Sequence, residues 1–295
     1  MVRTSWFHYL ILFVGILCIS WSAIFVKLAG ISGLSAAFYR MFFGLLGVLP
    51  IWFFRKRKIV SRKSFGMACL CGVIFAFDIA VWNISILMTK AAISTLLANL
   101  APVWVGLGAI VFLKEKPGKV FWIGTLIALL GVAVIVGFDQ IYNLQLNMGH
   151  VFAVLASLFY ACYLLLVRRG RQAIDTVSFT MISMGASAVV LWILVIFFNA
   201  PLSGFAPSSW RALIAVGLVS QLGGWLAINY AIAHMPSTIA SVSLLSQSVF
   251  TALIAVPVLG EHLTLMEVFG AVIVLSGIFL VNNKRFSHKE AYSTA

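Results

Sequence analysis

The sequence predicts an all-α membrane protein of about ten transmembrane helices, arranged as two inverted five-helix repeats. Three observations lead there: a composition that water cannot solvate, ten apolar runs of bilayer length, and a self-similarity at a fixed offset. Of the 295 residues, 63% are hydrophobic and 9% are charged, with a mean hydropathy of +1.11. A soluble fold must cover its surface with charge, and 20 Lys and Arg with 7 Asp and Glu cannot coat a chain of this length.

A bilayer core takes about 20 apolar residues per helix. Runs of that kind lie near 7–29, 34–54, 65–88, 91–113, 119–137, 149–167, 175–198, 209–233, 237–258 and 264–282. The first is too long for a signal-peptide core and lacks a small-residue cleavage pattern, so it is expected to be retained. The second carries Arg40 and the third Asp78 near its centre. The third and fourth meet at Lys90 and the eighth and ninth at Pro236, so these boundaries are the softest. Cys18, Cys69, Cys71 and Cys162 all fall inside apolar runs, a pattern of small packing residues rather than of disulfides or metal ligands.

Orientation follows from the basic residues, which are retained on the cytoplasmic side when they lie in short loops. With the N-terminus inside, Arg3, the cluster Arg55, Lys56, Arg57, Lys58, Arg62, Lys63, then Lys114, Lys116, Lys119, then Arg168, Arg169, Arg171, and finally Lys284, Arg285, Lys289 are cytoplasmic. Only Lys27, Arg40, Lys90 and Arg211 remain, within helices or at outward ends. Both termini are then expected in the cytoplasm. The same clustering accounts for the net charge of +13, which in a soluble protein would suggest nucleic acid; no nucleic-acid partner is expected here.

At an offset of 146 residues, Asn83 falls on Asn229, Ile86 on Ile232, Ile93 on Ile239, Val103 on Val249 and Leu113 on Leu259. Glu115 then falls on Glu261, Gly124 on Gly270, Leu129 on Leu275 and Gly131 on Gly277, all without a gap. Apolar matches mean little in so greasy a chain, whereas Asn, Glu and two glycines in register carry information. The halves are drawn as 1–145 and 146–295. Five helices each, an odd number, make the second half enter the membrane from the opposite side, the architecture from which alternating access arises in many secondary transporters. The first two helices of each half match weakly, so that part of the repeat is inferred.

These residues resemble the EamA-type transporters of the drug/metabolite transporter superfamily over nearly the whole chain. The resemblance rests on Trp21 and Lys27 in the first helix, Arg40 in SAAFYRMFFG, Pro102-Val103 running to Leu113-Lys114-Glu115, and the Gly124/Gly131 spacing. The second half repeats the ending as Leu259-Gly260-Glu261 with Gly270 and Gly277. Ser248 stands where the family often has proline, with Pro257 further on, so the fourth and ninth helices are not expected to bend alike. The resemblance implies a ten-helix carrier, usually of a bacterial inner membrane and frequently an exporter of amino acids or related metabolites, with a small-molecule substrate, a lipid bilayer around it and no cofactor.

Polar groups at membrane depth are costly unless they face protein or water, so they mark candidate sites. Asp78 shares a helix face with Phe75, Trp82 and Ser85, and Gln221, Trp225 and Asn229 form a comparable stripe in the eighth helix. Trp21, Arg40, Asn99, Tyr160, Tyr163 and Gln247 extend the set of substrate-binding candidates. Trp82, Trp225, Tyr163 and Asn229 are expected to border one water-accessible cavity. For each polar residue taken singly, helix–helix hydrogen bonding is the commoner role. An ionised carboxylate is expensive in hydrocarbon, which makes Asp78 the candidate for proton coupling. Trp6, Trp52 and Trp210 read as interfacial anchors, and Glu115 and Glu261 as turn residues. A membrane enzyme needs a reactive constellation, and His8, His150, His234, His262 and His288 are isolated; a channel needs a continuous polar stripe.

Overall fold

The computed structural model describes residues 6–55, 60–88, 91–113, 117–137, 147–171, 174–260 and 264–283. The described residues are overwhelmingly helical and contain ten helices long and apolar enough to cross a membrane. We label them α1 (Trp6–Ala29), α2 (Gly33–Phe53), α3 (Arg62–Ser85), α4 (Ser94–Phe112), α5 (Lys119–Val136), α6 (Met148–Gly170), α7 (Thr176–Phe197), α8 (Pro207–His234), α9 (Ser237–Leu259) and α10 (Leu265–Asn282). Each lies within a few residues of an apolar run in the sequence. The turns carrying Glu115 and Glu261, the residue Lys90, and Lys56, Arg57 and Lys58 of the basic cluster after α2 lie outside the described residues.

Local chemistry sets several ends. Ser32 caps α2 by accepting from the Ser35 N–H, Asp175 caps α7 by accepting from Val177 and Ser178, and Thr264 with Glu267 closes a capping box on α10. Gly260 ends α9 in the left-handed conformation, with φ of 67°.

The helices divide into two compact units, each drawing on both sequence halves: Met1–Asn83 with Leu166–Met235, and Ile84–Leu165 with Pro236–Ala295. In the first unit α1 and α8 run antiparallel. His8 stacks on His234 at 4.8 Å near one end, and a Cβ on Gly15 would sit 3.0 Å from the Gly224 carbonyl oxygen further along. Around that close approach α8 changes winding, with Val216–Gly224 forming a π-helical stretch. Longer turns widen the spacing of polar side chains, so the stripe Gln221, Trp225 and Asn229 does not follow a plain α-helical face.

In the second unit α5 and α10 pack closely enough for backbones to touch, as small residues permit in membranes. Gly124 lies against Gly277 and Gly131 against Gly270; a Cβ on Gly277 would sit 2.5 Å from the Gly124 oxygen and one on Gly270 2.9 Å from the Gly131 oxygen. The pairs run in opposite senses, so the helices are antiparallel. At the 146-residue offset each pair maps onto the other, a local two-fold relation written in glycine.

One expectation is corrected here. The helices α4 and α9 are interrupted at nearly equivalent positions, α4 at Asn99–Leu100 and α9 at Leu245. Both breaks are tight turns, with Leu100 N–H donating to Leu97 at 3.1 Å and Leu245 N–H to Val242 at 3.1 Å. In α4, Pro102 sits at the start of the continuing helix; in α9, the hydroxyls of Ser241 and Ser246 donate to the carbonyls of Thr238 and Ser243, drawing acceptors away from the helical ladder. Serine side chains replace proline as the interrupting chemistry.

Candidate functional site

The polar centre of the first unit is built around Arg40 on α2. Its Nε donates to Gln221 Oε1 on α8 at 2.7 Å, and its Nη1 donates to Ser22 Oγ on α1 at 2.9 Å. Arg40 is also the charge that acts on Asp78 of α3. Three helices therefore meet on one guanidinium, and its charge reaches the fourth, α3, at Asp78. Gln221 and Ser22 are buried, while Arg40 and Asp78 are half-buried. A guanidinium in hydrocarbon is tolerated only with polar partners, and a fork held at two of its nitrogens has fixed direction.

The surroundings are aromatic. The Phe75 ring meets Trp225 at 4.6 Å in a T-shaped contact, and both are buried. Trp21 lies next to Ser22 in sequence and stacks on Phe25 at 5.4 Å, and Trp82 is half-buried one turn beyond Asp78. Asn229, 1% exposed, donates to Thr180 Oγ1 of α7 at 3.3 Å, tying α8 to α7. Of the residues singled out in the sequence, Trp21, Arg40, Asp78, Trp82, Gln221, Trp225 and Asn229 thus belong to the first unit.

The second unit holds the rest. Asn99, at the break in α4, donates to Ser248 of α9 at 3.3 Å, with Gln247 beside it in sequence. Tyr163 is buried on α6 and Tyr160 half-buried. Trp104 Nε1 donates to Ser157 Oγ at 2.8 Å, and Asn282 Nδ2 donates to Ser243 Oγ at 3.1 Å. Tyr163 and the trio Trp82, Trp225 and Asn229 therefore fall in different units.

Ser22 and Thr180 were not selected in the sequence, because single hydroxyls in apolar runs are common; their one signal is a position inside a membrane span. Among the described residues there is no grouping of His, Cys, Asp and Glu able to hold a metal ion.

The EamA-like transporter family matches this chain at residues 6–137 and again at 147–283. The chain belongs to the EamA-like transporter family. Relatives at lower identity agree in kind: an uncharacterized transporter of Archaeoglobus fulgidus is 26% identical over 260 residues, covering 88% of this chain and 90% of its own. The uncharacterized transporter YdfC of Bacillus subtilis is 22% identical over 265 residues, covering 88% and 86% respectively. A solved crystal structure superposes with a TM-score of 0.79 at 17% identity, covering 93% of this chain and 96% of the other, a likeness of fold. This EamA-family chain is accordingly a multi-pass membrane transporter of an all-α fold, and not an enzyme.

Proposed function

We propose that this EamA-family transporter is a secondary carrier that exports a small metabolite, an amino acid or related compound, by alternating access, with the Arg40–Asp78 centre binding the charged ends of its cargo. The observation that carries the proposal is the guanidinium of Arg40, held by Gln221 and Ser22 and paired electrostatically with Asp78. Gln221 and Ser22 are neutral acceptors. A substrate carboxylate offers the same guanidinium a charged, bidentate partner and displaces them at little cost. An ammonium group then compensates Asp78. The aromatic faces of Trp21, Trp82 and Trp225 supply apolar contact to the rest of the molecule, and Asn99, Tyr160, Tyr163, Asn229 and Gln247 are the polar candidates beyond this centre.

Asp78 is also the proposed proton-coupling group. Protonated, it is tolerated in a closed, dry state; ionised, it requires water, Arg40 or a substrate ammonium, so each access state favours one form. The one-sided basic residues support cytoplasmic termini, and the family resemblance implies a bacterial inner membrane as the setting.

The test is Asp78→Asn in proteoliposomes loaded with candidate amino acids. Proton coupling requires that the variant still exchanges substrate but no longer accumulates it against a gradient of pH. Gradient-driven accumulation that survives the substitution removes Asp78 from coupling. A metabolite survey of cells with and without the protein identifies the cargo.

A further inference from the structure

The cytoplasmic face of the first unit gathers basic residues from three segments that are distant in sequence. Arg55 follows α2, Arg62 and Lys63 open α3, and Arg168 and Arg169 close α6. Two contacts bring these segments together. Arg55 Nη1 lies 4.0 Å from Asp175 Oδ1 at the start of α7, and a Cβ on Gly170 would sit 3.0 Å from Met67 Cγ, placing the first turns of α3 against the end of α6.

Charge in this patch is not neutralised from within. Asp78 and Asp175 are the acids of the unit's sequence, and Asp78 lies deep in α3. The Asp175 carboxylate already accepts the N–H groups of Val177 and Ser178 at 3.1 and 3.2 Å. Arg171 is turned inward, donating to the Ile174 carbonyl and the Thr176 hydroxyl. Arg55, Arg62, Lys63 and Arg169 are exposed.

Beside them the surface is strongly apolar: Phe53 is 62% exposed, Phe54 86% and Phe65 53%, next to Arg55 and Arg62–Lys63 in sequence. A soluble anion would use the cations alone, with no part for the rings beside them. A molecule with a phosphate at one end and acyl chains at the other matches both.

We propose that this face is a binding site for an anionic phospholipid of the cytoplasmic leaflet, with its phosphate and headgroup on Arg62, Lys63 and Arg169 and its acyl chains along Phe53, Phe54 and Phe65. Bound lipid bridges α2, α3 and α6, of which α2 carries Arg40 and α3 carries Asp78. Each Lys or Arg near an anionic surface contributes enough for about a fivefold change in binding, and the contribution falls with salt.

The test uses the purified full chain and two lipids of the same acyl composition, phosphatidylglycerol and phosphatidylcholine, with retained lipid counted by native mass spectrometry. Wild type is expected to keep phosphatidylglycerol selectively. The triple variant Arg62→Gln, Lys63→Gln, Arg169→Gln is expected to lose that selectivity by about a hundredfold. Arg62→Lys with Arg169→Lys, which keeps the charge, is expected to retain it, and so is the control Lys27→Gln with Arg211→Gln. A monodisperse elution profile confirms that each variant is folded. Equal retention by wild type and triple variant overturns the proposal. Displacement of the lipid by millimolar inorganic phosphate alone also overturns it, because the site would then recognise an anion without a membrane.

Discussion

The first unit places an arginine and an aspartate at membrane depth and surrounds them with amide, hydroxyl and indole groups. Within the second unit the described spans carry charge only in first turns, at Lys119 and Glu267, and around an apolar core their polar contacts are made by serine, asparagine and tryptophan. Repeat mates lie within one unit, and there they either keep a backbone contact or diverge in chemistry. Gly124 and Gly131 recur as Gly270 and Gly277, whereas the position matching Asp78 is Gly224, which serves close packing against α1 instead of charge. A repeat preserves what backbone contact requires, and it frees one copy to specialise the site.

The largest effect should come from the charged centre. Arg40→Gln leaves Asp78 without its cation and is expected to lower stability by about 3 kcal/mol, while adding Asp78→Asn to it restores much of the loss. Thermal unfolding of the four proteins of this cycle measures the coupling, and additive effects would mean the two residues act independently. Next, Gly277→Ala drives a methyl group into the Gly124 oxygen and the Ala128 nitrogen, both backbone, and should cost about 2 kcal/mol. Gly66→Ala in α3, where a Cβ meets nothing within 4 Å, is the control and should be neutral or slightly stabilising. If Gly277→Ala proves equally silent, the α5–α10 backbone contact is not formed.

A smaller effect belongs to Asp175, where Asp175→Ala removes the α7 cap at about 1 kcal/mol. Burial alone would raise its carboxyl, but hydrogen bonds from Ser178 and Val177, with help from Arg55, outweigh that and hold it below the usual carboxylate range. Its folded value lies below its unfolded one, so its contribution is complete above pH about 4 and is lost as pH falls through the depressed value. A stability profile on the acid side should therefore flatten in Asp175→Asn, which keeps an N-cap side chain and removes the charge. The least of these changes is Ser248→Ala, which removes the Asn99 bond between the two broken helices and should cost about 0.6 kcal/mol, an average membrane hydrogen bond.

The spans were legible in the sequence because membrane insertion is decided by composition over about 20 residues, a local property. Glycine spacing was legible as a register between halves, but not as the facing pairs Gly124–Gly277 and Gly131–Gly270, since partner choice depends on packing. The candidate site was legible in part. Depth alone marked Arg40, Asp78 and Gln221, yet the bond from Arg40 to Gln221 joins residues 181 apart, and no periodicity predicts it. The winding of Val216–Gly224 was equally hidden, although Gly217, Gly223 and Gly224 mark where the backbone is least constrained. Serine stood in for proline in α9 because two different side chains can interrupt the same ladder.

The glycine contact between α5 and α10 also imposes an order on biosynthesis. The groove of α5 enters the bilayer early, but the helix that covers it leaves the ribosome five spans later. At about 5–20 residues per second, roughly 10–30 s separate the two events. Through that interval the open groove of α5 can be filled only by lipid, by an insertion chaperone or by the matching groove of another nascent chain. A chain ending before Gly270 never receives its own partner, so truncation there should trade a closed monomer for association between copies.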